Sequence, residues 1–389
     1  MLAHRMAKSV PEITALQARW FRLRRNGLVE PFATAEHAAR ELAGIQAQIL
    51  TAAGLALRSR VAGLGSWSAV LEALAQRRSL VKLWGQRGTL HLYATADWPI
   101  LCGALAGQQT WWHRQALRDP ASAPIYAEAV KELGRLLKER GTLTRDEARV
   151  AGLGLPEHCF SSWGGIFADL VRAGTACHVP TTGTEGRFAH RAYWLPSLHW
   201  HPPAVDDANV DFARRYLRSY GPARVQDLAY WRGTTVASAA RWIGALGHEV
   251  AECRLEGIAH LALREDAEAL GQRPPARDRW PVRLLGRFDP MLLSHKDKSW
   301  VIAPDHQNRV WRPAGHIEAT LLVHGRIAGT WRYDRVAGGL GITLIPLAPL
   351  SRQVAAAVER EAGRVAHFLG EPLTDLSLRR PAAPRAPGR

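Results

Sequence analysis

Apolar and polar positions along this chain change period near residue 281, dividing a helix-rich part from a strand-rich part. Within the first part a plan recurs. The segments KELGRLLKERGTLTRDEARVAG (131–152) and ARRYLRSYGPARVQDLAYWRG (213–233) each hold a helix-like stretch, then a glycine (Gly141, Gly221). A second helix follows, opening with Asp146-Glu147 or Gln226-Asp227. Glycine readily takes the left-handed conformation that ends a helix, and Asp146 and Asp227 suit the positive end of the next one. Each segment runs on into a third amphipathic stretch. One carries Trp163, Ile166, Phe167 and Leu170, the other Val236, Ala239, Trp242, Ile243 and Leu246, both at helical spacing. An extended pair follows each: TACHVP with GRFAHRAYW, and HEVAECRL with GIAHLALR. Three helices and a two-stranded ribbon make a winged helix, a variant of the helix-turn-helix. The N-terminal part fits the plan less regularly. PEITALQARWFRLRRNGL, TAEHAARELAG and SWSAVLEALAQRR predict helices, and SLVKLWGQRGTLHLYA predicts two strands around 85–88.

From 281 onward VRLLGRF, SWVIA, NRVWR and GLGITLIPL predict strands. In HIEATLLVHGRIAGTWRYDR, His324-Gly325 between two alternating runs predicts a hairpin. SRQVAAAVEREAGRVAHFLG predicts an amphipathic helix whose apolar face holds Val354, Ala357, Val358, Ala362, Val365 and Phe368; Glu361 interrupts that face. The expected fold class is therefore α+β. Three tandem winged-helix domains (8–118, 122–200, 206–278) precede a small β-barrel-like domain (281–348), a C-terminal helix (349–370) and a disordered Pro/Ala/Arg-rich tail (371–389). Linkers are expected near 118–122 and 201–207.

Composition adds a partner. Of 389 residues 47% are hydrophobic and 22% charged, enough apolar material for a core. The net charge of +16 favours a polyanion, with nucleic acid the usual one, although a GC-rich genome that uses arginine freely would give the same balance. Four dispersed cysteines (Cys102, Cys159, Cys177, Cys253) form no CxxC pair, which argues against structural zinc and suits a reducing cytoplasm. MLAHRMAKSV lacks the apolar region of a signal peptide. No apolar run is long enough to span a bilayer, so a cytoplasmic, nucleoid-associated monomer is the expectation.

The stretch GIQAQIL (44–50) sets two glutamines in an apolar run. As helix, Gln46 and Gln48 would point to nearly opposite faces. As extended chain they share one face, with Ile45, Ala47 and Ile49 on the other. Gly44 then breaks the helix that starts at Thr34, and both amides look into a common cleft. Alternatively one amide caps a neighbouring helix and the other is solvated. In the RGTLH run, Arg87 could bind phosphate and His91 face a groove, or Thr89 and His91 could only pair across strands. His324 and Arg326 at the hairpin tip could probe a groove. His199-Trp200-His201 has no third ligand nearby and reads as packing rather than metal binding. Asp289 reads as an interior polar anchor.

Gln46-Ala47-Gln48, RGTLH at 87–91 and GRIAGTW at 325–331, in that order, resemble the AlkZ-like winged-helix DNA glycosylases. That family includes bacterial repair enzymes and self-resistance enzymes of genotoxin producers. The likeness runs from about Pro11 to Phe368 and follows the branch with glutamine, apolar residue, glutamine; Ala47 is small for the middle position. It implies a monofunctional glycosylase, without metal, cofactor or covalent lysine intermediate, acting on double-stranded DNA that carries alkylated purines. It also implies tolerance of bulky adducts and interstrand crosslinks. Gln46 and Gln48 would be the catalytic pair; Arg87, Thr89, His91, His324 and Arg326 would contact DNA. Amides suffice in principle because alkylation at guanine N7 or adenine N3 gives the base its own positive charge. A glutamine can then orient the attacking water without acting as a base. A non-enzymatic winged-helix regulator and a protein-binding scaffold are the alternatives.

Overall fold

A computed structural model describes residues 11–181 and 186–379. The N-terminal decapeptide, the end of the tail from 380 and part of the second ribbon's turn (182–185) lie outside the described residues. In chain order the strands are β1 (Glu12–Ile13), β2 (Ile45–Gln46), β3 (Leu80–Trp84), β4 (Leu90–Ala94), β5 (Thr142–Thr144), β6 (Ala176–Val179) and β7 (Arg187–His190). There follow β8 (Val250–Leu255), β9 (Ile258–Leu263), β10 (Val282–Leu285), β11 (Thr320–Val323), β12 (Arg326–Val336), β13 (Gly339–Pro346) and β14 (Leu373–Leu378). Residues 32–211 form one compact unit; residues 1–31 and 212–389 form the other.

In the unit of residues 32–211 the sheet order is β2-β4-β3-β6-β7-β5. Two antiparallel ribbons, β3–β4 and β6–β7, meet where Lys82 pairs with His178. Helices cover them for reasons visible locally. The helix Ser122–Arg140 buries Tyr126, Ala129, Leu133 and Leu137 along one stripe and stops at Gly141, whose φ is 76°. Thr144 and Glu147 form a reciprocal cap for the next helix, Arg145–Arg149. The third stretch is shorter than its spacing predicts. Gly164 and Gly165 take φ values of 149° and 57°, so the helix begins only at Ile166 and Trp163 is exposed instead of packed.

In the other unit β1, β8 and β9 make a small sheet, and β10-β11-β12-β13-β14 a larger one. The helix Ala15–Arg25, assigned from sequence to the first winged helix, belongs here. Ile13, Ala18 and Phe21 share a core with Cys253, Ala262 and Leu270. Leu23 and Leu28 enter a second core with Trp280, Leu285, Leu322 and Ile327. The repeat also loosens at two points: Gly221 follows its helix without a positive φ, and Val236 is exposed while Ala239, Trp242, Ile243 and Leu246 are buried. SWVIA and NRVWR are not strands: the first is turn, and Gln307–Val310 is a short helix. The hairpin β11–β12 and strand β13 form as the alternation predicts.

Two expectations near the C-terminus are corrected. Glu361, expected to leave the apolar face incompletely buried, is itself only 1% exposed; it accepts from the Leu284 N–H at 3.4 Å and from Arg364 Nη1 at 3.1 Å. The tail does not begin at 371, because Leu373–Leu378 pairs in parallel with β13. That pairing satisfies a strand edge that would otherwise present bare N–H and C=O groups.

Candidate active site

Thr34 caps the helix Ala35–Glu41, and the helix closes through the Gly44 N–H bonding Ala39 O at 2.9 Å. Ala43 (φ 52°) and Gly44 (φ 104°) then turn the chain out of helical geometry. Residues 45 and 46 leave as strand, as the alternation predicts, and the chain bends at Gln48. Ile45 pairs with Leu92 and Gln46 with His91, and the Ala47 N–H reaches Leu90 O at 2.7 Å. Ile45 and Ala47 are fully buried and fasten the strand from behind; Ile49, expected beside them, is exposed. The ring of Tyr93 lies against both Gly44 and Gly85, leaving no room for a Cβ at either position. Nothing in the sequence marks that ring as the neighbour of both glycines. Its two-residue offset from His91 within a strand is the one available hint.

Both carboxamides turn to the same neighbouring segment, 86–90. Gln46 is 6% exposed, and its Oε1 accepts from Arg87 Nη2 at 2.9 Å. Gln48 is half-buried, and its Oε1 accepts from the Leu90 N–H at 3.0 Å. Neither a guanidinium nor a backbone amide can accept, so these contacts fix which end of each carboxamide is the oxygen. Each carbonyl oxygen retains a second lone pair able to accept from a water. Neither glutamine caps the following helix, Leu50–Arg58: its cap residue is Ile49, which makes no capping hydrogen bond. The positive end of that helix and the Arg87 guanidinium both place positive potential beside the amides. Arg87 itself takes φ 57°, an uncommon conformation for a residue with a side chain, inside the tight turn closed by the Gly85 N–H to Thr89 O bond of 2.9 Å.

The other sequence candidates separate. Thr89 is half-buried and donates to Gln86 O at 3.2 Å. His91 is 1% exposed, its Nδ1 lies 2.9 Å from Thr89 O, and its ring meets Tyr93. His91 pairs with Gln46 across β2–β4 and shares its face of the sheet, but at 1% exposed it offers no free surface for the groove contact expected of it. His324 (φ 49°) and Gly325 (φ 75°) form the β11–β12 turn, and Arg326 beside them is exposed. Burial and then Arg277 lower the basicity of the His324 imidazole. Between His199 and His201, the Trp200 ring packs on Trp98 and under Arg191. No cluster of three or more metal-binding side chains occurs among the described residues. Asp289 is fully buried and caps a short helix by accepting from the Met291 N–H at 3.0 Å.

A family model described as DNA glycosylase AlkZ-like matches residues 39–368. The chain is 30% identical over 339 residues to the interstrand DNA cross-link repair glycosylase of Streptomyces sahachiroi, covering 85% of this chain and 89% of that one. The solved structure of the Streptomyces sahachiroi DNA glycosylase AlkZ superposes with a TM-score of 0.77 at 29% identity, covering 95% of this chain and all of the other.

Proposed function

From the premise that the chain belongs to the AlkZ-like DNA glycosylase family, we propose that it hydrolyses the N-glycosidic bond of cationic N-alkylpurines in duplex DNA. N7-alkylguanine and N3-alkyladenine are the substrates, and bulky adducts and interstrand crosslinks are included. The observation that carries this reading is the pair of glutamine oxygens held by the Arg87 guanidinium and the Leu90 N–H. Fixed dipoles of this kind stabilise charge that develops at a reacting centre, because they need not reorganise when it appears. The departing base already bears a positive charge and leaves without a strong general acid. Gln46 and Gln48 orient a water against the sugar face opposite the base, each accepting a proton of that water in a hydrogen bond. An amide is no base near neutral pH, so the gain is smaller than the roughly 10²–10⁴-fold of a positioned base. Only labile, cationic substrates are then within reach, and neutral bases are not.

The same reading makes the helix-and-ribbon groups winged helices that track the DNA backbone. Thr89, His324 and Arg326 contact DNA, and Arg87 does so while holding Gln46. The net charge of +16 supports such an interface. The deciding experiment uses a duplex with one N7-methylguanine. The wild-type chain leaves alkali-labile abasic sites, whereas Gln46→Ala/Gln48→Ala does not. A duplex crosslinked by a bifunctional alkylator separates on a denaturing gel after the same treatment. Tight, sequence-specific binding of undamaged DNA without base release would instead make the protein a regulator.

A further inference from the structure

Strand β10, the β11–β12 turn and the helix Arg352–Phe368 line a solvent-open cavity of about 230 Å³ in the unit of residues 1–31 and 212–389. Arg283, His324, Arg360 and Arg364 contribute basic side chains to its wall, against the single carboxylate of Asp278. Two of the guanidiniums are already held in place. Arg283 donates to Val282 O at 3.1 Å and to Leu28 O at 3.2 Å. Arg364 donates to Glu361 at 3.1 Å while remaining largely exposed. Arg360 lies one helical turn before Arg364 and is also exposed, so the two can close on a ligand from the solvent side.

Further cations surround the turn that forms one wall. Gly325 packs against Arg19 and Trp280. Arg19 is held to a pKa of about 10, chiefly by burial and then by Arg326 and Arg277. Like charges gathered this closely repel one another, and an anion would relieve the repulsion. Guanidinium forks match the oxygens of a phosphate in two-pronged geometry. At about 30 Å³ per water, the space holds roughly eight waters, room for a phosphate group and part of its hydration.

We infer that this cavity is a binding site for one backbone phosphodiester of duplex DNA, and that its occupation fixes the β11–β12 turn through their shared residue, His324. The inference rests on the reading that the protein engages DNA, but its test does not need base release. Affinity for an undamaged duplex would be followed by fluorescence anisotropy across a salt series. Each phosphate contact contributes about 0.9 to the slope of log K against log salt. Arg360→Gln is expected to lower that slope by about 0.9 and Arg360→Glu to weaken binding further, both with unchanged melting temperature. Arg335→Gln, a control distant in sequence whose guanidinium pairs with Glu371, should leave the slope as it is. A single methylphosphonate linkage, scanned along the duplex, should cost the wild type several-fold in affinity at one position and cost Arg360→Gln nothing there. Inorganic phosphate should compete with DNA less effectively for Arg360→Gln than for the wild type. An unchanged slope in Arg360→Gln, or an equal drop in Arg335→Gln, overturns the site. Failure to release N7-methylguanine sinks only the catalytic reading.

Discussion

Arg87 Nη2 and Gln46 Oε1 lie 2.9 Å apart, joining a residue that reads in sequence as a phosphate anchor to one that reads as catalytic. The guanidinium therefore positions the amide. A hydrogen bond from a charged donor is worth about 1.5–3 kcal/mol, or about ten- to hundredfold in rate. Arg87→Ala is expected to lower single-turnover release of N7-methylguanine at saturating enzyme by that factor, with a smaller loss of DNA affinity. Arg87→Lys should recover affinity but little of the rate, because an ammonium lacks the fork. Loss of affinity alone, with the rate kept, would reduce Arg87 to a phosphate contact.

What the sequence discloses here is local. The break at Gly44, the extension of 45–47 and the ribbon that follows all come from residues within a few positions of one another. The alternation puts Gln46 opposite Ile45 but does not disclose that both are buried, nor that Ile49 is exposed. The Arg87 contact is not legible, because a left-handed arginine aimed at a strand forty residues earlier leaves no periodic trace. Tyr93 is similarly silent, since its partners Gly44 and Gly85 read separately as a helix end and a turn. The helix Ala15–Arg25 shows a third limit. Its amphipathic pattern predicts that it packs, but not that its partners are Cys253 and Leu270. Leu373–Leu378 was hidden by composition: a proline- and arginine-rich end masks six residues that an open strand edge captures.

Gly85 should be replaceable only with help from its neighbour. Its φ of −114° is not left-handed, and the obstacle the structure shows is steric. An added Cβ would strike the Tyr93 hydroxyl first, with Cζ next at 2.8 Å. Overpacking of this kind costs about 1–3 kcal/mol. Gly85→Ala is expected to lower the melting temperature and base release together, and Tyr93→Phe in the same chain should restore part of both by removing the nearest atom. If Tyr93→Phe gives no recovery, the ring is not what excludes the methyl group.

Stability should fall on mild acidification. The His178 ring packs between Trp84 and Phe188, with centroids at 4.5 and 4.4 Å. Burial, then Lys82 and Arg145, hold its pKa well below the ordinary 6.5. His295 in the other unit is lowered likewise, by burial and then by Arg22 and Lys298. Below the ordinary value the unfolded chain takes up protons that the folded chain refuses. The contribution is therefore complete above about pH 6.5 and declines beneath it, by about 1.4 kcal/mol per pH unit for each histidine. Thermal melts between about pH 7.5 and 5 should show the decline, and His178→Phe, which keeps the aromatic packing, should make it shallower. A melting temperature flat across that range would mean that neither ring is excluded from protonation.

Gln48 offers the sharpest test of what the amides do. Its Oε1 serves the Leu90 N–H at 3.0 Å, so removing the acceptor leaves a backbone donor unmet beside the site. Gln48→Leu should therefore lose base release and also cost about 1–3 kcal/mol of stability. Gln48→Glu keeps an acceptor of the same length in the same place, and its carboxylate can take a proton as well as orient a water. If water orientation is the role of Gln48, the glutamate variant should match or exceed the wild-type rate on N7-methylguanine while the leucine variant approaches background. Comparable losses in both would show that the amide's N–H₂ donor, rather than its oxygen, meets the substrate, and the water-holding role would have to be abandoned.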